Sequence, residues 1–168
     1  MLAVMGTIGL SVWVSILAGE IRTLRDDEMR RTGTNEVGLD AKSPPGLGEF
    51  MTTMQLHMGK LWFAGRANNW DLARYELDEL RETMEAAQGL HSIKNGVDIS
   101  KLLAAVDQSQ ITQLVTSIEK KNQSRFTHAY DEALSACNGC HEESRHRFIK
   151  ITRPTAPPVT NQKWGVSR

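Results

Sequence analysis

The chain has 168 residues with 20 basic and 20 acidic side chains, a formal net charge of zero and 40% hydrophobic residues. That length allows one domain with appendages and a single proper core, and the charge balance gives a nucleic-acid partner no electrostatic support. No phosphate-binding loop, catalytic triad or paired-carboxylate site is visible, so neither an enzyme nor a small-molecule substrate is expected.

Met1 to Gly19 carries no charged side chain. At about 1.5 Å per residue it nearly matches a hydrocarbon core of roughly 30 Å. No basic stretch precedes it, and a cut after Ala18 would leave bulky Ile16 at the −3 position, so it reads as a retained single-pass transmembrane helix rather than a signal peptide. Glu20 to Arg31 continues it as a charged stalk, giving an anchor unit over 1–31. Arg22, Arg25, Arg30 and Arg31 would by themselves keep this side cytoplasmic. Residues 32–46 read as a linker, broken by Gly33, Gly38, Pro44, Pro45 and Gly46.

Four helical patterns fill residues 47–150. The first, Leu47 to Ala67, aligns Phe50, Met54, His57, Met58, Leu61 and Trp62 on one apolar face. The second, Asn69 to Ala87, has Asn69 as N-cap and Asp71 in its first turn. Gly89 and Asn95-Gly96 mark a longer connection. The third pattern, Asp98 to Lys121, carries Leu102, Leu103, Val106, Ile111, Leu114 and Ile118. The fourth, Ser124 to Ile149, carries Phe126, Tyr130, Leu134, Cys137, His141 and Phe148. With no strand-like alternation, these predict an all-α fold: an antiparallel up-down four-helix bundle behind an N-terminal transmembrane helix. From Pro154 the chain cannot begin a helix, and 151–168 reads as an extended C-terminal tail, expected, like the anchor, to be ordered by neighbouring subunits.

Both cysteines of the chain fall in Cys137-Asn138-Gly139-Cys140-His141, the attachment signature of a covalent c-type haem. Two thiols add across the porphyrin vinyl groups while the adjacent imidazole reaches the iron. On a helix, positions i, i+3 and i+4 share a face, so Cys137 and Cys140 are the expected thioether anchors and His141 the proximal iron ligand. The alternatives are weaker. A redox dithiol belongs at a helix start, zinc wants four ligands where only His128 is at hand as a poorly spaced fourth, and a disulfide across so short a loop closes little entropy. Haem c is attached on the outer side of energy-transducing membranes, which overrides the arginine pattern after the anchor and puts the haem domain on the periplasmic side of a cytoplasmic membrane.

No methionine follows His141, which excludes the small-cytochrome layout with a late methionine ligand. A haem pentapeptide on the last of four helices instead resembles the cytochrome c′ family, the class II c-type cytochromes, over about Leu47 to Ile149, although the residues flanking the pentapeptide depart from that family's pattern. The resemblance implies that the opposite haem face is approached by the first helix. With His141 placed seven or eight residues before the fourth helix stops, the facing window is Met54 to Met58, and His57 is the first choice as distal ligand, with Met54, Met58 and Met51 as alternatives and five-coordinate iron as the remainder. Arg66 and Arg145, with Lys60 and Arg147, are candidate partners of the haem propionates. His91, His128 and His146 read as surface or loop residues, and Trp62, Phe63, Trp70 and Tyr75 as core that could also pack round the porphyrin. The expected function is single-electron transport by a membrane-anchored monohaem cytochrome, a subunit of a respiratory or photosynthetic complex, with other subunits of that complex or a soluble redox protein as partners. The rivals are a high-spin gas-binding protein and a structural subunit.

Overall fold

The computed structural model describes residues 44–166. The expected anchor, its stalk and most of the linker lie outside the described residues, and among those described no helix is long and apolar enough to cross a membrane. The chain is mainly helical: α1 (Leu47–Arg66), α2 (Trp70–Gln88), α3 (Ile99–Val106), α4 (Thr112–Glu119) and α5 (Gln123–Glu143), with two short strands, β1 (Ile93–Lys94) and β2 (Val97–Asp98). The all-α expectation holds, with a hairpin added.

The starts of the helices follow local chemistry. Glu49 reaches back to the Gly46 N–H (3.0 Å) at the head of α1, and Asn69, Asp98 and Asn122 cap α2, α3 and α5 by accepting from the N–H groups of Leu72, Lys101 and Arg125. The strands were not expected. Asn95 (φ 51°) and Gly96 (φ 84°) both adopt positive φ, making a tight two-residue turn that pairs Ile93 with Asp98 and Lys94 with Val97.

The predicted third helix is one rod in two halves. Between α3 and α4 lies a single π turn, Asp107–Ile111, whose flanking residues keep helical backbone angles, so the rod widens by one residue instead of breaking. Thr112 Oγ1 donates to the Asp107 carbonyl (3.1 Å), and Arg81 of α2 grips the Asp107 carboxylate through Nε (2.8 Å) and Nη2 (3.2 Å).

The predicted fourth helix is shorter than expected, stopping at Glu143 rather than Ile149. The His146 N–H donates to the His141 carbonyl, the Arg145 N–H donates to the Glu142 carbonyl, and Arg145 itself lies in the left-handed region (φ 62°). This is a Schellman closure. The same closure ends α1 at Asn68 and α4 at Lys121. Glycine usually takes that position because it has no Cβ penalty; here asparagine, lysine and arginine do.

α1 and α5 run antiparallel. The start of α5 places the Phe126 ring against Gly65 near the end of α1, the Tyr130 hydroxyl donates to the Met58 carbonyl (2.9 Å), and the start of α1 meets Cys137 and Cys140. Trp62, Trp70, Phe126 and Tyr130 pack into one aromatic cluster, whereas Tyr75 is 55% exposed. The tail folds back over its own helices. Arg153 pairs with Asp131 and lies over the Trp62 ring (5.0 Å). Pro158 rests on Gly59, and Trp164 meets Phe63 (5.6 Å) while its carbonyl accepts from Asn69 (3.1 Å).

Two glycines separate packing from propensity. A Cβ on Gly65 would sit 2.2 Å from the buried Phe126 ring, so Gly65→Ala is expected to lower stability by about 1–3 kcal/mol despite its helix propensity. Helical Gly139 has nothing near its Cβ position, so Gly139→Ala is expected to add about 0.5–1 kcal/mol. Urea denaturation of the two variants beside the parent chain measures both.

Candidate functional site

Cys137, Cys140 and His141 occupy the last two turns of α5 and share one helix face. The first three turns of α1 stand opposite them. Between the two lies a cavity of about 460 Å³, within the range of roughly 300–1,000 Å³ usual for cofactor sites. α1 contributes Leu47, Met51, Met54 and Met58, and α2 contributes Leu80 and Met84. Ile99, Leu103 and Val106 of α3 and Ile111 of the π turn close the far side. The lining is apolar and rich in thioether sulfur, with both cysteines and His141 opening onto it.

The imidazole of His141 is oriented. Its Nδ1 lies 2.9 Å from the carbonyl oxygen of Ile149. A carbonyl can only accept, so Nδ1 carries the hydrogen and the lone pair sits on Nε2. A backbone carbonyl behind one ring nitrogen is the usual support of an imidazole that ligates metal through the other.

Both thiols are free and half-buried. Burial, and secondarily Cys140, push the Cys137 thiol up to about 11; burial and then Glu143 raise Cys140 as well. At neutral pH they are protonated, and they lie toward the negative end of the helix dipole, the reverse of the setting that activates a redox dithiol. Among the described residues no group of three or more His, Cys, Asp and Glu side chains is arranged to hold a metal ion.

The other expected site residues scatter. His57 is not in the cavity lining: its Nδ1 bonds Glu76 Oε2 of α2 (2.8 Å), and Lys60 Nζ reaches the other carboxylate oxygen (3.3 Å). Glu76 is 1% exposed, and a buried carboxylate has to be paired. Met54 and Met58, the alternatives, do line the cavity, as does Met51. Arg66 ends α1, its guanidinium 5.7 Å from the centre of the Trp62 ring, about 12 Å further along the helix than Met58. Arg145 is exposed in the Schellman turn. Neither lines the cavity. The cations that do are Lys94, on the unexpected hairpin, and His146 when protonated. His91 and His128 are exposed. Lys94 could have been found by reading Asn95-Gly96 as a hairpin turn.

No family model, curated protein or solved structure matches the chain.

The raised thiol carries a stability signature. The unfolded chain loses the Cys137 proton near the ordinary thiol value of roughly 8.5, while the folded chain keeps it to about 11. Folded protein then binds more protons, so stability is full below about pH 8.5 and falls as pH rises toward 11. With both thiols free, the urea midpoint is expected to drop across that window, and Cys137→Ala is expected to flatten much of the drop.

Proposed function

We propose that this chain is a membrane-anchored monohaem c-type cytochrome that carries single electrons, with Cys137 and Cys140 as thioether anchors and His141 as the proximal ligand. One observation carries the reading: both thiols and the imidazole of His141 open onto one apolar cavity, and the Ile149 carbonyl bonded to Nδ1 leaves Nε2 free for iron. Bound haem supplies one-electron iron chemistry. The residues of the chain hold it, orient its ligand and keep water from it.

The finer architecture follows the same reading. The antiparallel pairing of α1 with α5 supports an up-down four-helix bundle of the class II kind, with Met1 to Gly19 as its anchor and the haem domain on the periplasmic side. Confinement beside a membrane suits a subunit of a respiratory or photosynthetic complex, or a partner of a soluble redox protein.

For the sixth ligand we favour a methionine thioether over His57. Met51, Met54 and Met58 form a stripe on the cavity wall opposite Cys137, and Met54 is the middle one. His57 is bound to Glu76, and recruiting it would strip a buried carboxylate of a partner. Methionine ligation also raises the reduction potential relative to imidazole. Lys94 and His146 are better placed than Arg66 or Arg145 to meet the propionates.

Production of the full chain with a c-type haem attachment system tests the reading. A pyridine haemochrome that resists acid–acetone extraction is expected, lost in Cys137→Ala with Cys140→Ala; a chain that leaves such a host without haem overturns it. Met54→Ala is expected to convert a low-spin spectrum to high-spin and to admit carbon monoxide, with His57→Ala keeping the low-spin bands. Immediate carbon monoxide binding by the parent chain would instead favour the gas-binding rival.

A further inference from the structure

We propose that Asn138, between the two cysteines, is a positioning residue for the iron ligand His141, acting through the segment Ile149–Ile151. This rests on the haem reading above. Thioether formation at Cys137 and Cys140 asks nothing of the residue type between them, and asparagine is among the poorer helix formers. Its side chain is nonetheless fully engaged. Asn138 Oδ1 accepts from the Ile151 N–H (2.8 Å), and Asn138 Nδ2 donates to the Ile151 carbonyl (2.9 Å). One side-chain amide therefore holds both backbone groups of one residue, much as a neighbouring strand would.

The position of that clamp gives it a role. Two residues before Ile151 is Ile149, whose carbonyl accepts from His141 Nδ1 (2.9 Å). On its other side the Ile149 N–H donates to the His146 carbonyl (2.8 Å), at the Schellman turn that ends α5. The acceptor behind the imidazole is thus fixed at two points, the turn before it and Asn138 after it. Between them the segment has little packing of its own: Phe148 is 79% exposed and Ile149 42%. Without the clamp, water competes for the His141 N–H and the carbonyl drifts. Ile151 also lines the cavity, so the clamp seats one wall of the site as it orients the ligand.

The electronic consequence has a sign. A carbonyl accepting from Nδ1 makes the imidazole a stronger donor through Nε2, which favours oxidised iron and lowers the reduction potential. Loosening the clamp does the reverse. Asn138→Ala is expected to shift the ratio of reduced to oxidised protein at fixed poise upward by about tenfold, about 59 mV for one electron, and, in a Met54→Ala background whose ferrous iron is five-coordinate, to lower the iron–histidine stretching frequency.

The experiment uses the full-length haem-loaded chain: parent, Asn138→Ala, Asn138→Ser and Arg153→Ala, each followed by redox titration and thermal melting, with resonance Raman read on the same set carrying Met54→Ala. Asn138→Ser is read in the same way where the alanine variant does not mature. Arg153→Ala loosens the tail beyond the clamp and is expected to lower the melting temperature with the potential unchanged. A haem-loaded Asn138 variant with the parent's potential and Raman band overturns the proposal, and so does an Arg153→Ala shift as large as that of Asn138→Ala, since the tail as a whole would then set the potential. Absence of covalent haem from the parent chain is a different failure, that of the functional reading.

Discussion

Most of the site depends on where α5 stops. His141 lies two residues before the end of the helix, and the Schellman closure through Arg145 reverses the chain at once. That reversal returns the Ile149 carbonyl to His141 and Ile151 to Asn138. A helix continuing to Ile149 would have carried those groups away along the axis at about 1.5 Å per residue. It would also have left no returning strand to cover α1 and α5. Placing Arg145 in the left-handed region costs roughly 1–2 kcal/mol against a favoured backbone, and the carbonyls satisfied at the helix end offset part of it.

The same antiparallel geometry divides α1 into two functional faces. Met51, Met54 and Met58 turn toward α5 and the cavity, while His57 and Lys60 turn toward Glu76 on α2. A histidine on an apolar face is ordinarily a hydrogen-bonded core residue, and here the partner is a nearly inaccessible carboxylate. Removing either partner would leave part of a buried charge uncompensated, a several-kcal/mol penalty in comparable sites. The demand of Glu76 for partners thus holds His57 on the α2 side, outside the cavity lining.

The π turn and the hairpin are smaller devices with the same purpose. Widening the rod at Asp107–Ile111 brings both Val106 and Ile111 to the cavity wall, and the Arg81–Asp107 pair holds the widened turn against α2. The hairpin is tied to the end of α5 by Asn95 Nδ2 donating to the Ser144 carbonyl (2.6 Å), and this places Lys94 at the rim. Neither device has a period in the sequence. A π turn keeps helical composition, and a pair of two-residue strands is too short to alternate. The Asn-Gly step was the one local signal, and it is equally compatible with an irregular loop.

By itself the sequence determined what repeats or lies close along the chain. The 3.6-residue spacing of apolar side chains located the helices, Asn69 located the start of the second, and Cys137-Asn138-Gly139-Cys140-His141 set three groups on one helix face. Only the stop of the last helix was hidden, because Arg145 stands where glycine would have announced it, whereas the stops near Ala67 and Lys121 were legible within two residues. Only the tertiary structure decided which face of α1 meets that trio, that the tail packs on its own chain, and that Asn138 engages Ile151. These are contacts between residues distant in sequence, chosen by the pairing of a buried charge and the angle at which a helix ends, and no local pattern encodes either.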